Sequence, residues 1–122
     1  VGILGVGKYM YRFYSNTENG YVRINIQART CNIIEINEVY ITGTQERSSY
    51  LYIAKFDSSS ITYCAKHDIV NSTNLKIVYD DTYVYIQIPS FFSFGATCKD
   101  YFPNISYDFV SSTSATNEPV NV

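Results

Sequence analysis

Tyr79-Asp-Asp-Thr-Tyr-Val-Tyr-Ile-Gln-Ile-Pro89, continued by Ser90-Phe-Phe-Ser-Phe-Gly-Ala-Thr-Cys98, reads as two β-strands broken at a proline. Val84, Ile86 and Ile88 alternate with Tyr83, Tyr85 and Gln87. One face is therefore aliphatic and the other largely phenolic, the period-two signature of a sheet with two unlike neighbours. An enzyme should present a set of acids, bases or nucleophiles. Here the conspicuous chemistry is tyrosine carried on strands, which speaks of surface and assembly.

The same reading extends outward along the chain. In the strand expected over Gly20 to Thr30, Val22, Ile24, Ile26 and Ala28 face one way and Tyr21, Arg23, Asn25, Gln27 and Arg29 the other. The next run shifts phase, from Ile34 and Ile36 to Val39 and Ile41, which predicts an extra residue, a bulge, near Asn37 and Glu38. Further strands are expected over Lys8 to Ser15, Ser49 to Phe56, Ile61 to Lys66, Leu75 to Tyr79, Phe92 to Cys98 and Ile105 to Val110. Asn16 to Gly20, Asp57 to Ser60 and Asp80-Asp81 supply turn chemistry between them, and Asp68 to Asn74 reads as a longer polar loop. About nine short strands separated by turns at roughly ten-residue spacing favour an all-β, two-sheet antiparallel β-sandwich. There is no internal repeat.

Composition agrees. A chain of 122 residues suits one domain and buries roughly 65% of its unfolded surface. Thirteen Tyr and seven Phe without Trp enrich it in strand formers. Nine Lys and Arg against eleven Asp and Glu give a formal charge of −2, with no basic block to neutralise phosphates, so nucleic acid is not an expected partner. Val1 to Gly7 is far shorter than the ~20 residues of a spanning helix and has no basic lead, which argues against a signal peptide and against membrane insertion. We expect residues 1–7 to be a lead-in from an upstream module, 8–110 the sandwich domain, and 111–122 a flexible or extended polar tail. The chain opens on Val1, as expected of a fragment or processed product.

Cys31, Cys64 and Cys98 are odd in number and make a poor disulfide framework, so reduced, buried thiols are expected, as in a protein folded in a reducing cytoplasm. Cys64 and His67, three apart on one strand, point to opposite faces and cannot share a proton. The same residues with Cys31 and Cys98 reach the count for a zinc site but lack a close Cys pair, so neither metal nor cofactor is expected. A glycosidase pair would be drawn from Glu18, Glu35, Glu38, Glu46, Asp57, Asp68, Asp80, Asp81, Asp100, Asp108 and Glu118, most of them in turns or strand ends where solvation is the simpler role. No catalytic residue is assigned.

Tyrosine has the stronger case. Tyr50 and Tyr52 share one strand face and Tyr83 and Tyr85 another. A phenol can stack on the C–H face of a sugar while its hydroxyl bonds ring substituents. The competing role is cross-strand packing or subunit contact. These four are the candidates for ligand or subunit contact. Phe92, Phe94 and Ala96 share a face and are read as core, with Phe91 left over; Asn71-Ser-Thr73 and Asn104-Ile-Ser106 match glycosylation acceptors, a motif with meaning only in a eukaryotic host.

The strand Asp-Thr-Tyr-Val-Tyr-Ile-Gln-Ile-Pro89 followed by Ser-Phe-Phe-Ser-Phe-Gly-Ala-Thr97 also resembles the closing strands of C-terminal domains on phage tail fibres and tail spikes. The resemblance covers about twenty residues and the overall strand rhythm. It implies a jelly-roll sandwich, in some members similar to tumour necrosis factor, that assembles as a homotrimer at the tip of a fibre or spike of the virion. It implies, further, a non-catalytic receptor-binding and trimerisation role directed at a bacterial surface glycan. The alternative is a secreted carbohydrate-binding module appended to a glycoside hydrolase, for which monomeric behaviour is expected. A depolymerase or autoproteolytic chaperone domain is a third reading.

Overall fold

Val22 and Ile24 on one strand and Val84, Ile86 and Ile88 on its neighbour are fully or almost fully removed from solvent, so period-two alternation fixes the inner face of the first sheet. A computed structural model describes residues 2–4, 13–14, 20–40, 46–71, 75–89, 92–98 and 105–122. Their strands are β1 (Gly2–Leu4), β2 (Phe13–Tyr14), β3 (Gly20–Asn25), β4 (Thr30–Tyr40), β5 (Glu46–Lys55), β6 (Tyr63–Val70), β7 (Ile77–Tyr79), β8 (Tyr83–Ile88), β9 (Phe92–Cys98), β10 (Ile105–Val110) and β11 (Val120–Asn121). No helix occurs among the described residues.

The strands form two sheets, one in the order β1-β10-β3-β8-β7 and the other β11-β6-β5-β4-β9-β2. Every pairing is antiparallel except β11 with β6, which is parallel. The fold is thus all-β and two-layered, as the alternation predicts. Between the layers lies one apolar cluster: Val22, Ile24 and Ile26 with Val84, Ile86, Ile88 and Ile77 from the first sheet, against Ile34, Ile36, Leu51, Ile53 and Cys64 from the second. Each buried Ile or Leu contributes about 1.5–3 kcal/mol relative to exposure.

Three local expectations are corrected. The strand expected to run to Thr30 stops at Asn25, because Arg29 adopts a left-handed φ of 61° and the Thr30 hydroxyl donates to the Gln27 carbonyl, closing a turn. Ile26 nonetheless stays in the core. No bulge occurs at Asn37-Glu38: pairing of β4 runs unbroken to both β5 and β9, so Glu38 keeps the inward phase of Ile34 and Ile36 while Val39 turns outward, 49% exposed. The ladder irregularity lies instead between β5 and β6, where Ser48 faces Val70 and Ser49 faces Asp68, leaving Ile69 unpaired. β6 accordingly reaches Val70, three residues into the stretch read as loop.

The Asp80-Asp81 hairpin forms as expected. Tyr79 pairs with Val84, and Asp80 Oδ1 accepts from Thr82 N at 2.9 Å and Tyr83 N at 2.7 Å. Strand expectations over 8–12, the turn at 16–19, Phe91 and Asn104 fall outside the described residues, as do the side chains of Phe92, Phe94, Ala96 and Cys98.

Both ends of the chain join the sheets. Gly2–Leu4, within the expected lead-in, pairs with Ile105 to Tyr107. The polar tail runs as an extended strap: Thr113 hydrogen-bonds Tyr85 on β8, the Asn117 carbonyl accepts from Tyr79 N at 2.9 Å, and Val120–Asn121 lies beside Ala65 and Lys66. The strap thereby covers the β7 edge of one sheet and the β6 edge of the other, the edges that would otherwise present unpaired backbone groups.

Candidate functional site on the outer face of the first sheet

Because Val22, Ile24, Val84 and Ile86 point inward, Tyr21, Arg23 and Asn25 of β3 and Tyr83, Tyr85 and Gln87 of β8 point outward. Register sets Arg23 opposite Tyr85 on one side and Asp108 of β10 on the other, with Asn25 opposite Tyr83. Arg23 Nε donates to Asp108 Oδ1 at 2.8 Å, and its Nη2 donates to Asp108 Oδ2, giving a bidentate pair. The same guanidinium lies 4.6 Å from the centroid of the Tyr83 ring, within cation–π range. The Arg23 hydrogen bonds hold the Asp108 carboxyl below its usual range, and Asp108 in turn raises the Arg23 pKa. Both groups stay charged.

Around this pair Arg23, Asn25, Tyr83, Ser106, Tyr107 and Asp108 line a cleft of about 130 Å³. An aromatic face, a fixed guanidinium–carboxylate fork and the polar residues Asn25 and Ser106 converge on a volume suited to one small polar ring.

Behind the cleft Tyr85 is 8% exposed and donates its hydroxyl to Asp80 Oδ2 at 3.0 Å. Burial and this hydrogen bond raise its pKa. Burial pushes the Asp80 carboxyl upward, but hydrogen bonds from Tyr83 N, Thr82 N and the Tyr85 hydroxyl outweigh it and leave the value lowered. Tyr83 and Tyr85 rings lie 6.1 Å apart and Tyr21 meets Tyr85 edge-on at 6.4 Å. Tyr85 is thus a supporting residue under the strap, while Tyr83 is half-buried at the cleft.

Tyr50 and Tyr52 stand elsewhere. They alternate with the buried Leu51 and Ile53 of β5 and so lie on the outer face of the second sheet, on the far side of the core from Tyr83. Tyr50 is flanked by Glu35 on β4 and His67 on β6, and Tyr52 by Ile33 and Ala65. The structure does not bring the two tyrosine pairs together.

The thiols separate as well. Cys64 is buried in the core, where desolvation pushes its pKa up to about 12, whereas Cys31 is exposed. His67 is exposed, with Nδ1 3.0 Å from the Val122 carbonyl oxygen. Among the described residues no group of three His, Cys, Asp or Glu is placed to hold a metal.

Sequence reading missed Arg23, Asn25, Ser106 and Asp108 as a set. The outward phase of Arg23 and Asn25 was legible, but Asp108 lies 85 positions from Arg23 and only the β3–β10 register unites them. No protein-family model, curated protein or solved structure matches the chain.

Proposed function

We propose that this chain is a non-catalytic glycan-recognition module of jelly-roll type, and that it serves as the C-terminal receptor-binding and trimerisation domain of a phage tail fibre or spike. The observation that carries the recognition role is the cleft in which Arg23 is gripped by Asp108 and laid on Tyr83, beside Asn25 and Ser106. Saccharide recognition needs a flat apolar face for the ring and fixed polar groups for its hydroxyls. Preorganisation by the bidentate pair lowers the ordering cost of binding.

Strand order supports the jelly-roll reading. Setting aside β6, β7 and β11 and numbering the other eight strands along the chain turns the sheets into 1-8-3-6 and 2-7-4-5, the winding of two interlocked Greek keys. The architecture is compatible with lectin-like recognition, although fold alone does not imply function. For trimerisation, the outer face around Tyr50 and Tyr52 is the candidate contact between copies.

The test is paired. Binding of purified host surface polysaccharide is measured by calorimetry for the wild type and for Tyr83→Ala and Asp108→Asn, and mass is measured by light scattering for the wild type and Tyr52→Ala. Binding lost at least tenfold in the first two supports the recognition site, and unchanged binding removes it. A trimer mass reduced in Tyr52→Ala supports the contact face, and a monomeric wild type removes the trimer.

A further inference from the structure

At the end of the sandwich where the β3–β4 turn meets the β5–β6 loop, Arg29, Ala54, Lys55, Phe56 and Thr62 line a second depression of about 380 Å³ whose walls are mostly carbon. Both charged residues among its described lining are cationic. Lys55 continues the inward phase of Leu51 and Ile53 and is only 6% exposed, Arg29 is exposed, and the side chain of neither makes a hydrogen bond or ion pair among the described residues. Asp57 acts on Lys55 through space without forming an ion pair with it, while its Oδ1 accepts from Ser59 N at 2.9 Å and also from the Ser59 hydroxyl. Among the described residues, then, two cationic side chains share one depression with no carboxylate in contact with either, an arrangement suited to an anion.

Two further features are unusual for plain surface. Arg29 occupies the left-handed region at φ 61°, where glycine or asparagine is cheaper, so its position in the turn is held at some backbone cost. Phe56 is 80% exposed, yet its loop is fixed: Thr62 N donates to the Ala54 carbonyl at 2.8 Å and Phe56 N donates to Thr62 Oγ1 at 3.1 Å. An aromatic ring is thereby presented to solvent on an ordered loop next to Arg29 and Lys55. In the Arg23 cleft, by contrast, Asp108 already neutralises the guanidinium.

We infer that the Arg29–Lys55–Phe56 depression is a second saccharide subsite specific for an acidic sugar, whose carboxylate would meet Arg29 and Lys55 while its ring packs on Phe56. The inference rests on the glycan-recognition reading and narrows it to an acidic polysaccharide. Charge complementarity selects the anion, and the carbon walls with Phe56 select a ring over a simple inorganic ion.

The test uses the whole chain labelled with ¹⁵N, titrated separately with glucuronate, galacturonate and the uncharged methyl glucoside and methyl galactoside. The expected result is that the two uronates shift the amides of Arg29, Phe56 and Thr62 and bind at least fivefold tighter than the glycosides. That preference should disappear in Arg29→Gln and Phe56→Ala and weaken as salt is raised. Equal binding of acid and glycoside, or a preference that survives both variants, overturns the inference. Glycosides that shift only Arg23 and Tyr83, with no uronate response at Arg29, overturn the acidic subsite and leave the recognition reading standing. Uronates that act at Arg29 with no sugar response at Tyr83 support the subsite and remove the Arg23 cleft. No response at either place overturns both.

Discussion

Arg23 on β3 and Asp108 on β10, 85 positions apart in the chain, meet in a two-bond fork across adjacent strands on the outer face of the first sheet. The fork ties β10 to β3 and presents the guanidinium over Tyr83. Its side chains are each about 30% exposed, so its role is as much geometric as energetic.

Asp108→Ala frees the guanidinium from its seat over Tyr83. Because partly exposed pairs contribute modestly, global stability should fall by about 1 kcal/mol or less. Glycan affinity should fall at least tenfold. Urea unfolding and calorimetry on the same preparations compare the two effects, and a larger loss of stability than of affinity would make the pair structural.

Glu38 is a buried carboxyl in the aliphatic phase of β4, with Arg47 3.7 Å away and no hydrogen-bond partner for either oxygen among the described residues. Desolvation, only partly opposed by Arg47, raises its pKa from about 4.5 to about 8. The folded state therefore keeps a proton that the unfolded chain has released, and stability should decline as pH rises from about 4.5 to about 8. Glu38→Gln should flatten that decline and exceed the wild type above pH 8. Urea midpoints across the range check this; parallel curves for the two proteins would contradict it.

Ile24 and Ile34, both at zero exposure, face each other's sheets within the core cluster. Replacing either with Ala should cost about 2–5 kcal/mol. The urea midpoint should drop with no change in slope, since the surface exposed on unfolding is nearly the same.

Cys31 and Cys64 should differ sharply in reactivity. In a Cys98→Ser background at pH 8, a thiol reagent should label exposed Cys31 rapidly. Cys64 should react only on unfolding, because burial both blocks access and pushes its pKa up to about 12. Fast labelling of two thiols in the native protein would place Cys64 outside the core.

Cutting the chain before Asn117 removes the carbonyl that accepts from Tyr79 N and the β11–β6 ladder. Both exposed edges should then promote association between copies. A concentration-dependent rise in mass by light scattering, absent in the intact chain at the same stage of assembly, would report it.

Most strands and their inward residues were legible because alternation over Tyr21 to Ile26 and Thr82 to Ile88 leaves a single way to bury the aliphatics. The reading failed at Glu38. A hydrophobic pattern treats a carboxylate as an outward residue, so an inward Glu looks like a phase shift and was read as a bulge. It failed again at Arg29, where nothing in the residue type announces a left-handed turn. The tyrosines were correctly seen to alternate with aliphatics, but a period-two pattern assigns a residue only to a face of its own strand. It does not say which sheet carries the strand.

Side-chain direction along a strand is a local property, so residue order alone is enough for a two-sided, all-β chain with its Val, Ile and Leu turned inward. That Asp108 meets Arg23, that Tyr85 lies under the strap while Tyr83 borders the cleft, and that Tyr50 and Tyr52 look out from the other side are properties of the assembled sheets. Those relationships depend on which distant strands become neighbours and in what register, and that choice is made by the joint burial of the whole core.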